Sequence, residues 1–210
     1  MRVTLTGHAG LLFENGRVTA LVDPHLTDGF RDILLSATPD VILLTHAHPG
    51  HFDEETLKCF AGRGITVLAS RSAYEALATF GAGFNRVLLA PHSVYSVGGV
   101  TFYSVKAEHN DPTAVGFILD DTDKTYYVSG DTLYNFDVID DVLDLVEDGV
   151  DYAFLPISGS GCVMNAKDAA DLAYEIGAGY AVPVHYDAHS AADFDFEDAM
   201  IIPFGVPTEL

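Results

Sequence analysis

Four apolar residues, Val41–Leu44, run without interruption into Thr45-His46-Ala47-His48-Pro49-Gly50-His51-Phe52-Asp53. A short, continuous apolar run that opens on β-branched residues suits a strand buried on both faces of a sheet. Pro49 and Gly50 stop the chain from continuing as strand or helix, so the histidines fall on a loop at the strand's C-terminal end. Open α/β sheets place their ligands there. Three of the nine histidines lie within six residues, and imidazole ligates a metal at neutral pH without a costly deprotonation. The plain alternative is a polar turn with solvated histidines. The density of donors favours metal ligation, and zinc is the ion whose ligand preferences it matches.

Around this loop the chain alternates short strands with helices. Strands are expected over residues 3–6 and 11–14, with a hairpin at Asn15-Gly16 returning over 17–22 and ending at Asp23-Pro24. Asp53 reads as a helix N-cap with Glu54 and Glu55 against the helix dipole, and the helix reaches about Ala61 before Gly62. Residues 65–69 suit a strand and 72–80 a helix ended by Gly81. Five short strands follow over 86–90, 93–97, 100–106, 115–119 and 125–128. The spacing then predicts a helix over 137–146, a strand over 150–155, a helix capped by Asn165 and a last strand over 180–184, with a partly helical tail. A hairpin ending in Asp23 and one ending in Asp131 are each followed by helix–strand units. Two β-rich halves flanked by helices suggest an α/β fold, a four-layer α/β/β/α sandwich over residues 1–210 as one domain.

The chain carries 31 Asp+Glu against 10 Lys+Arg, a formal charge of −21, and 22 of the acids are aspartate. Such a surface repels polyanions, so neither a nucleic acid nor an acidic membrane is expected as partner. It serves solubility or a salty habitat. The two cysteines, Cys59 and Cys162, match no zinc or redox spacing and suit a reducing compartment. Met1-Arg2 leads directly into apolar strand residues with no signal-peptide core, and no run is long enough to span a membrane. The expectation is a cytoplasmic protein.

Three more donors stand at strand ends: His109 in Lys106-Ala107-Glu108-His109, Asp131 in Ser129-Gly130-Asp131-Thr132, and His185 in Pro183-Val184-His185-Tyr186. With the cluster at 46–51, this series resembles the metallo-β-lactamase superfamily and its motif H-x-H-x-D-H, followed by a distant His, an Asp and a last His. It is most similar to the branch of small metal-dependent hydrolases that includes L-ascorbate-6-phosphate lactonase. Gly7-His8, Asp23-Pro24, Gly99-Val100, Met164-Asn165 and Pro183 to Tyr186 extend the likeness over essentially the whole chain. The resemblance implies one ion held by His46, His48 and His109, with Asp131 bridging to a second held by His51 and His185. It implies zinc, or else Mn²⁺, at one or two ions per chain, and a metal-bound hydroxide that attacks a small ester, lactone or phosphoester.

Gly50 departs from the motif, which has Asp there as a second-site ligand. The second site is therefore expected to bind weakly or stay empty, unless Asp53, Asp187, His189 or His25 replaces the carboxylate. His8 is read as a catalytic or supporting residue at the metal mouth, against a hydrogen-bonded turn histidine. Tyr186 and Ser160 are candidate substrate contacts, the latter in a Ser158-Gly159-Ser160-Gly161 loop whose backbone could face an anion. His92 is read as structural. The alternative to a hydrolase is an impaired metal-binding or regulatory protein on the same fold. Members of the branch assemble, which makes a homo-oligomer an expectation, although no heptad or apolar stripe in this chain argues for one.

Overall fold

The structure is a computed structural model that describes residues 1–27, 29–79, 83–186 and 191–210. Strand β4, Val41–Leu44, is buried at all four positions. It lies between two parallel neighbours, β3 (Thr19–Val22) and β5 (Thr66–Ala69), so neither its edges nor its faces meet water. The chain divides into two compact units, Met1–Leu89 with Ile202–Leu210, and Ala90–Ile201.

The first unit is built on a seven-stranded sheet in the order β13 (Thr208–Glu209), β1 (Arg2–Leu5), β2 (Leu11–Glu14), β3, β4, β5, β6 (Asn85–Leu88). The strands from β13 to β3 run antiparallel and those from β3 to β6 parallel. The expected hairpin forms: the Asn15 side-chain oxygen accepts the N–H groups of Arg17 and Val18 at 3.0 and 2.9 Å, and Gly16 takes the positive φ of +78°. Helices α1 (Arg31–Ser36), α2 (Glu54–Phe60) and α3 (Arg71–Thr79) connect the parallel strands. Asp53 caps α2 by accepting the N–H groups of Glu55 and Thr56, and Leu57 and Phe60 bury against Leu34, Ile42 and Leu44.

The second unit repeats the plan on six strands, in the order β12 (Tyr180–Val184), β11 (Tyr152–Pro156), β10 (Thr125–Val128), β9 (Val115–Asp120), β8 (Val100–Lys106), β7 (Val94–Val97). Strands β7 to β10 form an antiparallel meander, after which β11 and β12 add in parallel. Helix α5 (Ala166–Glu175) is capped by Asn165, which accepts the Asp168 N–H at 3.0 Å, and turns Ala169, Ala170, Leu172 and Ala173 inward. In each unit the last antiparallel strand delivers an aspartate, Asp23 after β3 and Asp131 after β10. The two-hairpin echo in the sequence is thus a repeat of topology.

Two expectations need correction. The helix expected over 137–146 is α4, Phe136–Leu143, because Asn135 rather than a later residue caps it through the Asp137 N–H at 2.7 Å. Among the described residues, the tail is helical only as a 3-10 turn at Ala191–Asp193. Pro203 and Pro207 remove helix donors there, and Thr208–Glu209 pairs with β1 instead. The helix end expected at Gly81 lies outside the described residues.

Candidate metal centre

In the first unit, His46 stands one residue beyond β4, after Thr45, and is fully buried, and His51 is 1% exposed. A turn at Pro49-Gly50, closed by the His51 and Phe52 N–H groups on the His48 carbonyl at 3.1 and 3.0 Å, brings His51 back beneath His46. The ring centroids of His46 and His51 are 4.2 Å apart and those of His46 and His48 4.8 Å. Their donor nitrogens lie within 4.8 Å of one another in each of these pairs.

Asp23 sets the protons of this cluster. Its buried carboxylate accepts from the Thr45 N–H at 2.8 Å, the Thr45 hydroxyl at 2.6 Å and His51 Nδ1 at 2.7 Å. A carboxylate only accepts, so His51 carries its proton on Nδ1, and Nε2 is the ring atom with a lone pair of the kind a metal takes. The Thr45 hydroxyl has one proton and gives it to Asp23. Toward His46 Nδ1, 3.0 Å away, it is therefore an acceptor, and His46 is protonated on Nδ1 as well. Sequence reasoning placed Asp23 at the end of a hairpin and within the resemblance, without a partner, and gave Thr45 no role. An acid closing a strand was the available signal, but its partner sits 28 residues along the chain.

In the second unit, His109 follows β8 and its Nδ1 meets the Cys162 carbonyl at 3.1 Å, which again puts the proton on Nδ1 and the lone pair on Nε2. Asp131, 7% exposed, follows β10, and His185 follows β12. His185 Nε2 and Asp131 Oδ1 are 3.6 Å apart. That is long for a hydrogen bond, and close to the roughly 3.3 Å edge of a tetrahedron whose ligands stand about 2.0 Å from zinc. Nitrogen donors with fixed tautomers and one carboxylate fit a divalent metal.

The other expected residues separate. Burial pushes the Tyr186 phenol up, so it stays a donor. The loop offered as an anion cradle turns partly inward: the Gly159 N–H bonds the Met164 carbonyl at 2.9 Å and Ser160 pairs with the Ser158 hydroxyl at 2.9 Å. Asp53 is committed to α2. Burial alone raises its carboxyl, but hydrogen bonds from the Thr56 side chain and from the Leu26 and Thr56 backbone, with the nearby His25, hold it below the usual carboxylate range. His92 meets the buried Asp141 at 3.0 Å in the second unit. Asp187 and His189 lie outside the described residues. Cys59 and Cys162 are free thiols, and no described helix is long and apolar enough to cross a membrane.

Comparison with known proteins identifies the class. The metallo-β-lactamase fold protein YhfI of Bacillus subtilis matches with a TM-score of 0.80 at 19% identity, over 99% of this chain and 98% of that one. The metallo hydrolase Igni18 of Ignicoccus hospitalis matches with a TM-score of 0.81 at 20% identity, over 99% and 97%. The fold is therefore the metallo-β-lactamase α/β fold expected from the sequence. Residues 21–186 match the β-lactamase superfamily domain. A UPF0173 metal-dependent hydrolase of Exiguobacterium sp. is 31% identical over 199 residues, 89% of this chain and 86% of that protein. The chain belongs to this family of metal-dependent hydrolases within the metallo-β-lactamase superfamily.

Proposed function

We propose that the chain is a zinc-dependent hydrolase of a small ester, lactone or phosphoester metabolite, with Mn²⁺ as the substitute ion. In this reading His46, His48 and His109 hold one ion, and His51, His185 and Asp131 hold a second, with Asp131 shared. The observation that carries the reading is the common tautomer of His46, His51 and His109. Each gives its Nδ1 proton to a fixed acceptor, the arrangement that orients ligating histidines. When bound, the ions supply Lewis acidity and lower the pKa of a water far enough for attack at neutral pH. The carboxylate of Asp131 takes a hydrogen bond from the attacking water and fixes its direction. Tyr186, kept protonated by burial, donates to a substrate oxygen, and Ser160 contacts the substrate beyond it. The charge of −21 supports a small, compact substrate over a nucleic acid.

Protein purified without chelator is assayed for metal content and for turnover of aryl esters, lactones and phosphodiesters, with added Zn²⁺ or Mn²⁺. Turnover in at least one class, falling by about a hundredfold or more in His46→Ala, is the expected result for loss of a metal-holding residue. Metal-loaded protein silent in all three classes would leave the regulatory reading, which the glycine at position 50 favours.

A further inference from the structure

The motif's missing carboxylate leaves a space, and the structure fills it. Gly50 has φ +98°, and a side chain there would begin 2.7 Å from Nε2 and 2.8 Å from Cδ2 of His8. The imidazole of His8 thus stands where a residue at position 50 would project its own side chain. It is held there by backbone. Gly7 and His8 are both left-handed, at φ +97° and +49°, and their loop is closed by the Thr6 N–H on the Gly10 carbonyl and the Gly10 N–H on the Gly7 carbonyl, each 2.8 Å. Gly7 lies against Phe30, which a Cβ at that position would approach to 2.9 Å.

From that place His8 faces His51. The two rings are 5.5 Å apart, edge to face at 71°, and their donor nitrogens lie within 4.8 Å of each other. His51 has Nδ1 on Asp23, so the nitrogen it presents to an ion is Nε2. We infer that His8 is a ligand of the second ion, supplying from the β1–β2 loop the donor that Gly50 lacks. This rests on the reading above that His51 ligates metal. It differs from the sequence expectation, which looked to Asp53, Asp187, His189 or His25 for a replacement and left His8 beside the centre.

Two consequences follow from the chemistry. A neutral nitrogen replaces an anionic oxygen, so the centre keeps one more positive charge and selects nitrogen-preferring zinc over manganese. A side chain at position 50 and the His8 ring also exclude each other. Gly50→Asp alone therefore displaces His8 and gains no ion, whereas the double variant His8→Ala/Gly50→Asp removes that clash and leaves only the strain of a side chain at φ +98°.

The test is a titration of chelator-stripped protein with Zn²⁺ by calorimetry, and with Co²⁺ by its visible spectrum, beside melting curves of each variant. Parent protein is expected to bind two ions. His8→Ala should keep the first and lose at least about tenfold in affinity for the second, since removing a ligand costs no less than removing its support. The double variant should regain two ions. His8 is exposed, so His8→Ala should fold, and it decides the question even if the double variant does not. Two unchanged ions in His8→Ala, or a parent that binds only one, would overturn the inference while leaving the metal reading intact. A parent that binds none, or binding that is indifferent to His51→Ala, would instead overturn the metal reading itself.

Discussion

Asp23 is one residue whose chemistry decides the state of two others. It is 1% exposed and its charge is balanced by three donors, from the Thr45 backbone, the Thr45 hydroxyl and His51. Replacing it by Asn keeps the shape and reverses the relay. The amide oxygen must face the Thr45 N–H, which leaves an NH₂ facing the Thr45 hydroxyl and His51 Nδ1. His51 must then accept on Nδ1 and carry its proton on Nε2, the nitrogen assigned to metal. The Thr45 hydroxyl, relieved of Asp23, is free to donate to His46 and switch that ring as well. Asp23→Asn is therefore expected to weaken zinc by about 10- to 100-fold, the usual effect of a supporting partner. Asp23→Ala should weaken it similarly, and should also destabilise the apo protein by about 1–3 kcal/mol through the donors left buried. Zinc competition against a chromophoric chelator, beside apo unfolding curves, checks both. An Asn variant with parental zinc affinity would show that tautomer control is not how Asp23 acts.

At the level of elements, what the sequence reveals depends on how local the cause is. β4 is legible because burial on both faces writes itself as four consecutive apolar residues, and α2 because Asp53, Glu54 and Glu55 carry cap and dipole within one turn. The candidate donors His46, His48 and His51 are legible as a dense cluster on the loop after β4, and His109, Asp131 and His185 because each follows a strand. The pairing of β1 with β13 joins chain ends, and the closeness of His8 to Gly50 depends on a loop some forty residues earlier, so neither leaves a local pattern. β10 shows another buried fact. Tyr127 sits in the middle of that strand among Val138, Val142 and Ala153, and its hydroxyl has no hydrogen-bond partner among the described residues. Burial, and then the charge of Asp141, push its phenol well above the ordinary value. The folded state therefore keeps this proton while the unfolded chain releases it above about pH 10, so stability falls as pH rises past that point. Tyr127→Phe should match or exceed the parent at pH 8 and lose less by pH 11, read as urea midpoints at both pH values. A parent–variant difference that does not change with pH would contradict the argument.

For the whole molecule the governing quantity is charge, and it is unevenly distributed. Residues 1–89 with 202–210 hold 7 Lys+Arg against 10 Asp+Glu, whereas 90–201 hold 3 against 21. The first set is close to neutral, and nearly all of the excess belongs to the second. Ion pairing does little to offset it there: Lys106, Lys124 and Lys167 are the only Lys or Arg residues among twenty-one acids, and Lys167 is already engaged by Asp171 on the surface of α5. Self-repulsion of this kind disfavours the compact state and weakens as salt shortens its range, from about 30 Å at 0.01 M to about 10 Å at 0.1 M. The melting temperature of metal-free protein should therefore climb by several degrees over that interval of NaCl, with most of the gain below 0.1 M. Choline chloride should reproduce the climb, because screening depends on ionic strength and not on the identity of the cation. If only sodium were effective, the gain would belong to a specific cation site. If the curve were flat, the acids would be far enough apart, and hydrated enough, for the fold to carry its charge without strain, and the acidic surface would have to be explained by what it repels.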